Sequence, residues 1–539
     1  MEPIQSKISK LIDFLGNPEN LPDETGEVTI CQTHGSVLAL ADHHVYKVKK
    51  PVDFGFMDFT TLEKRQANAR REIKLNRRLC SDTYLDAVTI TEADDGSWRF
   101  GDGKGEIIDC AVRMKRLEDG FFLPQILKKG DDPNNMMEII SDRLMEFYGG
   151  QTGECKAEYG DISKIRQDCE GNFQAMEKLP EAVVHPVLLE TVKSFTYTFL
   201  DRYATLFEER VREGKIQECH GDLHMDHIHY KDGRLCIFDC IEFNEAFRCI
   251  DIANDLAFLA MDLEHQGYIR EAAHFTTLMA KGLKDEHLTT LMHFYKAYRA
   301  CVRGKVHGLA GTDPSLPPEE RRLNLDEAAS FFQLAMQYAC CGLPAALIFF
   351  GPAGSGKSTL AGRIGGLAGC PVLNSDVLRK ELFSLPVDEP APDSVKADLY
   401  SRETTDRVYN ILIEKGLKYA KTHRTIILDA TYANPDHRGE TRLAFRSAAI
   451  DPLFIFVTAE EKMIHGRLSD RNKATRSVSD AREKDFDTLV AGYRDPDPGN
   501  YQGNLIEIDN SGDPEDAAQA LLKTLTGKLF EKQKLKRGP

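Results

Sequence analysis

Two stretches of the chain carry residue types suited to phosphate or metal chemistry. The first, "HGDLHMDHIH" at residues 220–229, holds four histidines and two aspartates. The second, "GPAGSGKST" at 351–359, fits G-x-x-x-x-G-K-[ST] through Gly351, Gly356, Lys357 and Ser358. In that pattern glycines let backbone N–H groups curl around phosphate oxygens at a helix N-terminus, where the helix dipole also favours negative charge. Lys357 reaches the β/γ-phosphates, Ser358 can ligate Mg²⁺, and Gly354 and Thr359 complete the cradle. This stretch predicts a site for ATP with Mg²⁺.

Other strand ends of an open α/β sheet decide what is done with the triphosphate, because ligands sit outside the carboxyl ends of the strands. "LNSDVLRKEL" places Asp376 and Arg379 one helical turn apart. The carboxylate can accept a hydroxyl proton and the guanidinium can hold an anionic group or the transferred phosphoryl. The plainer reading is an N-cap aspartate with a surface arginine. "IILDATYANPDHR" offers Asp429 beside Mg²⁺, followed by Ala430 where a hydrolytic motor would want a water-activating glutamate. Transfer to a hydroxyl is therefore expected over hydrolysis. "HGRLSDRNKATRSVSDAREKDF" supplies Arg467, Arg471, Arg476 and Arg482 as candidate lid arginines over the phosphates, with a solvated helical face as the alternative.

For the first stretch, zinc would need three or four converging ligands, and His220, His224, His227 and His229 on an extended or turning segment are expected to point in different directions. The aspartates suggest another reading. His220-Gly221-Asp222, then His227, then Asp239 follow the spacing H-R-D-x-x-x-x-N…D-F-G, in which one aspartate meets the acceptor hydroxyl and the asparagine and second aspartate hold metal. His227 stands in the asparagine position, and oxygen-preferring Mg²⁺ is disfavoured there relative to a softer ion such as Mn²⁺.

The elements that must position these residues change texture along the chain. The first third alternates β-branched segments ("EVTI", "HHVYKVKK") with a long helical run, "TTLEKRQANARREIKLNRRL", and predicts a small sheet with one helix against it. Residues 135–340 read as mostly helical, interrupted by two short strands around the turn "KDG". Beyond "CCGLP" the strands "AALIFF", "CPVLNS", "RTIILD", "LFIFV" and "NLIEI" alternate with helices, predicting a doubly wound parallel sheet and a domain boundary near 341.

"HGDLHMDHI", "IFDCIEFN" and "DIANDLAFL" together resemble the aminoglycoside phosphotransferase branch of the protein-kinase-like fold. The resemblance implies a bilobal domain over 1–340, with a small lobe of about 1–117 and a large lobe of about 118–340. It makes Asp222 the catalytic base, Asp239 and His227 metal ligands, and Asp255 a brace for the loop. Lys47 of "VYKVKK" becomes the nucleotide-binding lysine and Glu72 its helix partner, with Lys49 or Lys50 as solvated strand charges and Glu63 as a rival glutamate. "AVRMKRLEDG" corresponds to the hinge that meets adenine. Residues 341–539 resemble the P-loop kinases that include polynucleotide 5′-kinases, gluconate kinases and zeta toxins. The fusion implies a bifunctional ATP-dependent kinase acting on hydroxyls of small molecules. A nucleotide-binding pseudokinase that regulates one active P-loop kinase, and an RNA-end kinase, are the alternatives.

Composition bounds these readings. The chain has 539 residues and a net charge of -16, so no global positive field attracts nucleic acid or an anionic membrane. No apolar run is long enough to span a bilayer, and residues 4–15 read as an amphipathic helix. Thirteen scattered cysteines without a C-x-x-C pair suggest free buried thiols and a cytoplasmic setting.

Overall fold

In the computed structural model the described residues are 4–101, 105–130, 132–150, 155–340, 346–420, 425–473, 478–482, 486 and 493–536, with 4–5, 471–473 and 526–536 described in backbone only. By internal contacts the chain divides into one unit of 1–168 and 203–299 and another of 169–202 and 300–539. The boundary expected near 341 lies outside the described residues. Helices Pro186–Arg202 and Pro318–Cys340 group with the phosphate-loop half.

The first unit is built on a six-stranded antiparallel sheet of β1 (Thr29–Gln32), β2 (Ser36–Leu40), β3 (His44–Lys49), β4 (Tyr84–Glu92), β5 (Trp98–Phe100) and β6 (Glu106–Lys115), in the order β1-β2-β3-β6-β4-β5. Side chains along a strand alternate between faces, and β3 uses that alternation fully. Tyr46 and Val48 join a core with Phe14 and Leu15 of helix Ile4–Gly16, while Val45 packs on the opposite face with Ala69 and Ile73 of helix Leu62–Asn76. Lys47 and Lys49 lie in register with Val45 and so point at that second helix. Thr61 caps it by accepting from the Lys64 amide.

The "KDG" turn joins β8 (Ile228–Lys231) to β9 (Arg234–Ile237), as the sequence predicts. A second small ribbon pairs β7 (Ile216–Glu218) with β10 (Cys249–Asp251). The expectation of free thiols fails at four positions, because disulfides join Cys80 to Cys236 and Cys155 to Cys249. These partners are 156 and 94 residues apart, separations at which sequence carries no pairing signal.

The second unit carries a parallel five-stranded sheet of β11 (Ala346–Phe350), β12 (Val372–Asn374), β13 (Ile426–Asp429), β14 (Leu453–Thr458) and β15 (Leu505–Asp509), in the order β12-β13-β11-β14-β15. Every residue of β11 and β13 is buried, as befits central strands covered on both faces. All five strands fall where the apolar runs predict them. The chain is thus mixed α/β, with a parallel sheet in its C-terminal part. Among the described residues no helix is long and apolar enough to cross a membrane.

Candidate functional sites

The phosphate loop leaves the buried strand β11 and enters helix Lys357–Ala368. Gly351 has φ +146 and lies so close to β14 that a Cβ would sit 2.2 Å from the Val457 carbonyl oxygen. Gly356 has φ +83, and a Cβ there would lie 2.2 Å from Asn510 Nδ2. Both positions demand glycine by conformation and by space. Asn510 Nδ2 donates to the Ser355 carbonyl at 2.8 Å, and Arg467 donates to the same oxygen at 3.0 Å and to the Asn510 carbonyl at 2.7 Å. In a trans peptide the N–H points opposite to the C=O, so holding the Ser355 carbonyl from one side aims the Gly356 N–H toward the other.

Arg467 therefore grips the loop through its carbonyl oxygens. Helicity alone did not reveal which side of the loop it approaches. The side chain of Arg471 and the whole of Arg476 lie outside the described residues. Arg482 donates to the carbonyls of Ser479 and Ala481.

Asp429 ends β13 at 1% exposure. Its Oδ2 accepts from Asn374 Nδ2 at 2.6 Å, while Oδ1 is buried with no hydrogen-bond partner among the described residues. Burial raises its carboxyl above the usual range, against the opposing pull of the Lys357 ammonium and of hydrogen bonds from Ser358 and Asn374. A buried, unpaired oxygen beside a serine hydroxyl and an ammonium fits a hard divalent cation such as Mg²⁺.

Asp376 lies in the first turn of helix Ser375–Leu382, and the N-cap is Asn374 rather than Asp376. The charge of Asp376 acts on both Asp429 and Tyr400, which places it at the same strand ends. Arg379 is buried rather than a surface arginine. Its guanidinium donates to the Leu399 carbonyl at 2.6 Å and the Thr405 hydroxyl at 3.2 Å and lies 4.8 Å from the Tyr400 ring centroid.

In the other unit Lys47 Nζ lies 2.8 Å from Glu72 Oε1 and 2.7 Å from Asp239 Oδ1. Lys49, expected as a solvated charge, is instead buried, 2.9 Å from Glu72 Oε2 and 2.7 Å from Glu242 Oε1. The two-residue period of β3 from Lys47 was the available signal for Lys49, whereas Glu242 had none. Glu63 is exposed. Burial raises the Lys47 partner Asp239, but the Lys47 ammonium and His227 outweigh it and hold the carboxyl well below its ordinary range. Asp239 follows β9 with φ +61, in the left-handed region that aspartate enters more readily than most residues other than glycine. Its N–H donates to the Tyr84 hydroxyl at 3.1 Å.

The loop that carries Asp222 is tied down from below. Asp255, fully buried, accepts from the backbone N–H of His220 at 2.9 Å and of Gly221 at 2.8 Å, and from the Tyr148 hydroxyl at 2.9 Å. Arg299, absent from the sequence-based site, donates to the Gly221 carbonyl at 3.0 Å. His220 Nε2 donates to the Phe238 carbonyl at 2.8 Å, joining this loop to the segment before Asp239. His227 Nδ1 donates to the Asp222 carbonyl at 2.9 Å, leaving Nε2 unprotonated and 3.6 Å from Asp239 Oδ2. Burial, reinforced by His224, lowers the His227 ring to about 4.

The histidines do not all diverge. Asp222, His224 and His227 each offer a ligand atom within 4.8 Å of the other two, which corrects the expectation of different directions. A one-turn 3-10 helix, Met225–His227, turns the backbone between the two histidines and brings their rings to 3.8 Å.

A glycine-shaped phosphate loop at the end of a central parallel strand defines a P-loop nucleotide-binding unit. Residues 347–496 match the family described as an AAA domain. An uncharacterised protein of Mycobacterium tuberculosis H37Rv is 28% identical over 473 residues, covering 86% of this chain and 91% of its own length; one of Mycobacterium bovis matches to the same extent. Among solved structures, a gluconokinase from Sinorhizobium meliloti 1021 aligns at 16% identity and TM-score 0.26, over 35% of this chain and 98% of its own. The Mycobacterium tuberculosis APS kinase CysC, solved with AMPPNP and APS, aligns at 18% identity and TM-score 0.25, over 35% and 98%.

Proposed function

We propose that the chain is a cytoplasmic bifunctional ATP-dependent kinase with one phosphotransfer site in each unit, acting on hydroxyls of small molecules rather than on nucleic acid. The observation that carries the two-site reading is the bridging of Glu72 and Asp239 by Lys47. Such a lysine–glutamate pair beside an aspartate, from residues up to 192 apart, supports the reading of a kinase-like centre. The reading assigns residues 1–340 to an aminoglycoside-phosphotransferase-like bilobal domain and 341–539 to a P-loop kinase domain.

At the P-loop site the amides around Gly351, Gly354 and Gly356, with Lys357 and Thr359, bind the ATP phosphates. Ser358 and Asp429 Oδ1 would hold Mg²⁺, which neutralises phosphate charge when bound. Asp376 takes the proton of the acceptor hydroxyl. The acceptor oxygen then bonds to the γ-phosphorus as the bond to the bridging oxygen of ADP breaks. Arg379 would hold an anionic acceptor group or the transferred phosphoryl, and Arg467 and Arg471 are the candidate lid arginines. At the first site Asp222 is the base, Lys47 positions the phosphates, and Asp239 with His227 would hold Mg²⁺ or Mn²⁺.

A second reading, a nucleotide-binding pseudokinase, is favoured by one observation: the imidazole of His227 faces Asp239 where an oxygen ligand serves Mg²⁺ better. The test is labelled ATP with a metabolite extract and the variants Lys357→Ala and Asp222→Asn. Each variant is expected to abolish a different phosphorylated product. Loss of product only with Lys357→Ala leaves the pseudokinase, and no loss with either ends the kinase reading.

A further inference from the structure

The kinase reading gives Asp222 and His227 separate tasks and gives His224 none. His224 is nevertheless buried, with Nε2 3.5 Å from Asp222 Oδ2. The same carboxylate oxygen lies 3.6 Å from His227 Nδ1. Two ligands on a tetrahedral ion with bonds of about 2 Å stand roughly 3.3 Å apart. These two spacings are within a few tenths of an ångström of a ligand shell, and the three ligand atoms together lie within 4.8 Å of one another. Two imidazoles and a carboxylate form the donor set of zinc-type sites that keep a position open. Ligation through His227 Nδ1 exchanges its hydrogen bond to the Asp222 carbonyl for the metal and moves the proton to Nε2, which stands 3.6 Å from Asp239 Oδ2, a carboxylate placed to orient a ligating imidazole. Asp222 is 35% exposed, so a fourth ligand can enter from solvent.

We propose that Asp222, His224 and His227 bind a borderline divalent transition metal of the zinc class, in preference to Mg²⁺. The imidazole donors make this selection, because Mg²⁺ favours an all-oxygen shell and dehydrates reluctantly, whereas Zn²⁺ and Co²⁺ accept nitrogen readily. Binding needs no nucleotide. Its consequence rests on the kinase reading: the metal takes the Asp222 carboxylate that would otherwise accept the acceptor proton, so the ion switches the first site off while leaving the P-loop site untouched.

The test is titration of the full, metal-stripped chain with Co²⁺ alone, followed by visible absorption, which is intense for a four-coordinate ion and weak for an octahedral one. One Co²⁺ per chain with strong absorption is expected, displaced by equimolar Zn²⁺ and unmoved by a thousandfold excess of Mg²⁺. The band is expected to vanish in His224→Ala and to persist in Lys357→Ala, each checked for a native melting transition. His224→Gln serves in place of His224→Ala should the latter fail to fold. A band that survives loss of His224 in a folded chain, or no band at all, overturns the site. Because the readout contains no ATP, failure of the kinase reading leaves it unaffected, and the converse also holds.

Discussion

The side-chain amide of Asn510 donates to the Ser355 carbonyl at 2.8 Å and ties the residue after β15 to the phosphate loop 155 positions earlier. The loop shape is thus supported by a distant strand end as well as by its own glycines. Asn510→Ala is expected to weaken ATP-analogue binding at the P-loop about tenfold, the worth of one hydrogen bond at the upper end of its range. Gly356→Ala, which drives a Cβ into the same amide, is expected to abolish it. Calorimetry on both variants checks this, and unchanged affinity in Asn510→Ala would show that the glycines suffice.

Glu72 is fully buried and bridges two ammonium groups, Lys47 and Lys49, each of which also pairs with a second carboxylate, Asp239 and Glu242. Removing one partner of a buried ion pair costs about 3–5 kcal/mol because the remaining charge is stranded. Glu72→Ala is expected to destabilise the unit containing the six-stranded sheet by an amount in that range. The double variant with Lys49→Met is expected to recover part of it. Urea unfolding of the native chain, Glu72→Ala, Lys49→Met and the double variant decides the matter, with additive losses counting against a shared network.

The bond between Cys80 and Cys236 links the chain after helix Leu62–Asn76 to β9, the strand that delivers Asp239. Closing a loop of this length contributes about 2–5 kcal/mol, chiefly by limiting the unfolded chain. Reductant is therefore expected to lower the melting temperature of the native chain, with little further effect on a Cys80→Ser, Cys155→Ser, Cys236→Ser, Cys249→Ser variant. Non-reducing peptide maps should yield the Cys80–Cys236 and Cys155–Cys249 pairs.

Burial pushes the Cys301 thiol up to about 12, against a small opposing pull from Lys305. The folded value lies above the unfolded one of about 8.5, so the fold favours the neutral thiol. That contribution is intact below pH of roughly 8.5 and declines as pH rises toward the folded value. At pH 9 iodoacetamide is expected to label exposed Cys31 quickly and Cys301 only at the rate of unfolding. Rapid labelling of Cys301 in the folded chain would contradict its burial.

What a local window of sequence encodes was legible. Gly351, Gly356 and Lys357 declared the phosphate loop, since its backbone path depends on residues a few positions apart. The five apolar runs declared the strands of the parallel sheet, and "KDG" declared the turn between β8 and β9, because burial and turn conformation are set by short-range pattern. Asp222 and Asp239 were nameable by their spacing from His220, whereas Lys47 and Glu72 were nameable only through resemblance to a family.

Packing decided the rest. Which side of the phosphate loop Arg467 approaches, that Arg379 is held by Leu399 and Thr405, and that Asn510 holds Ser355 all depend on strands and helices meeting from distant parts of the chain. His224 and His227 turn toward Asp222 because of the short 3-10 turn between them, with Asp262 accepting from the Met225 N–H at 2.9 Å to hold that turn in place. Residue types settled what chemistry was available to this protein. The tertiary contacts settled which of those groups face one another, because side-chain direction is fixed by the neighbours that bury it.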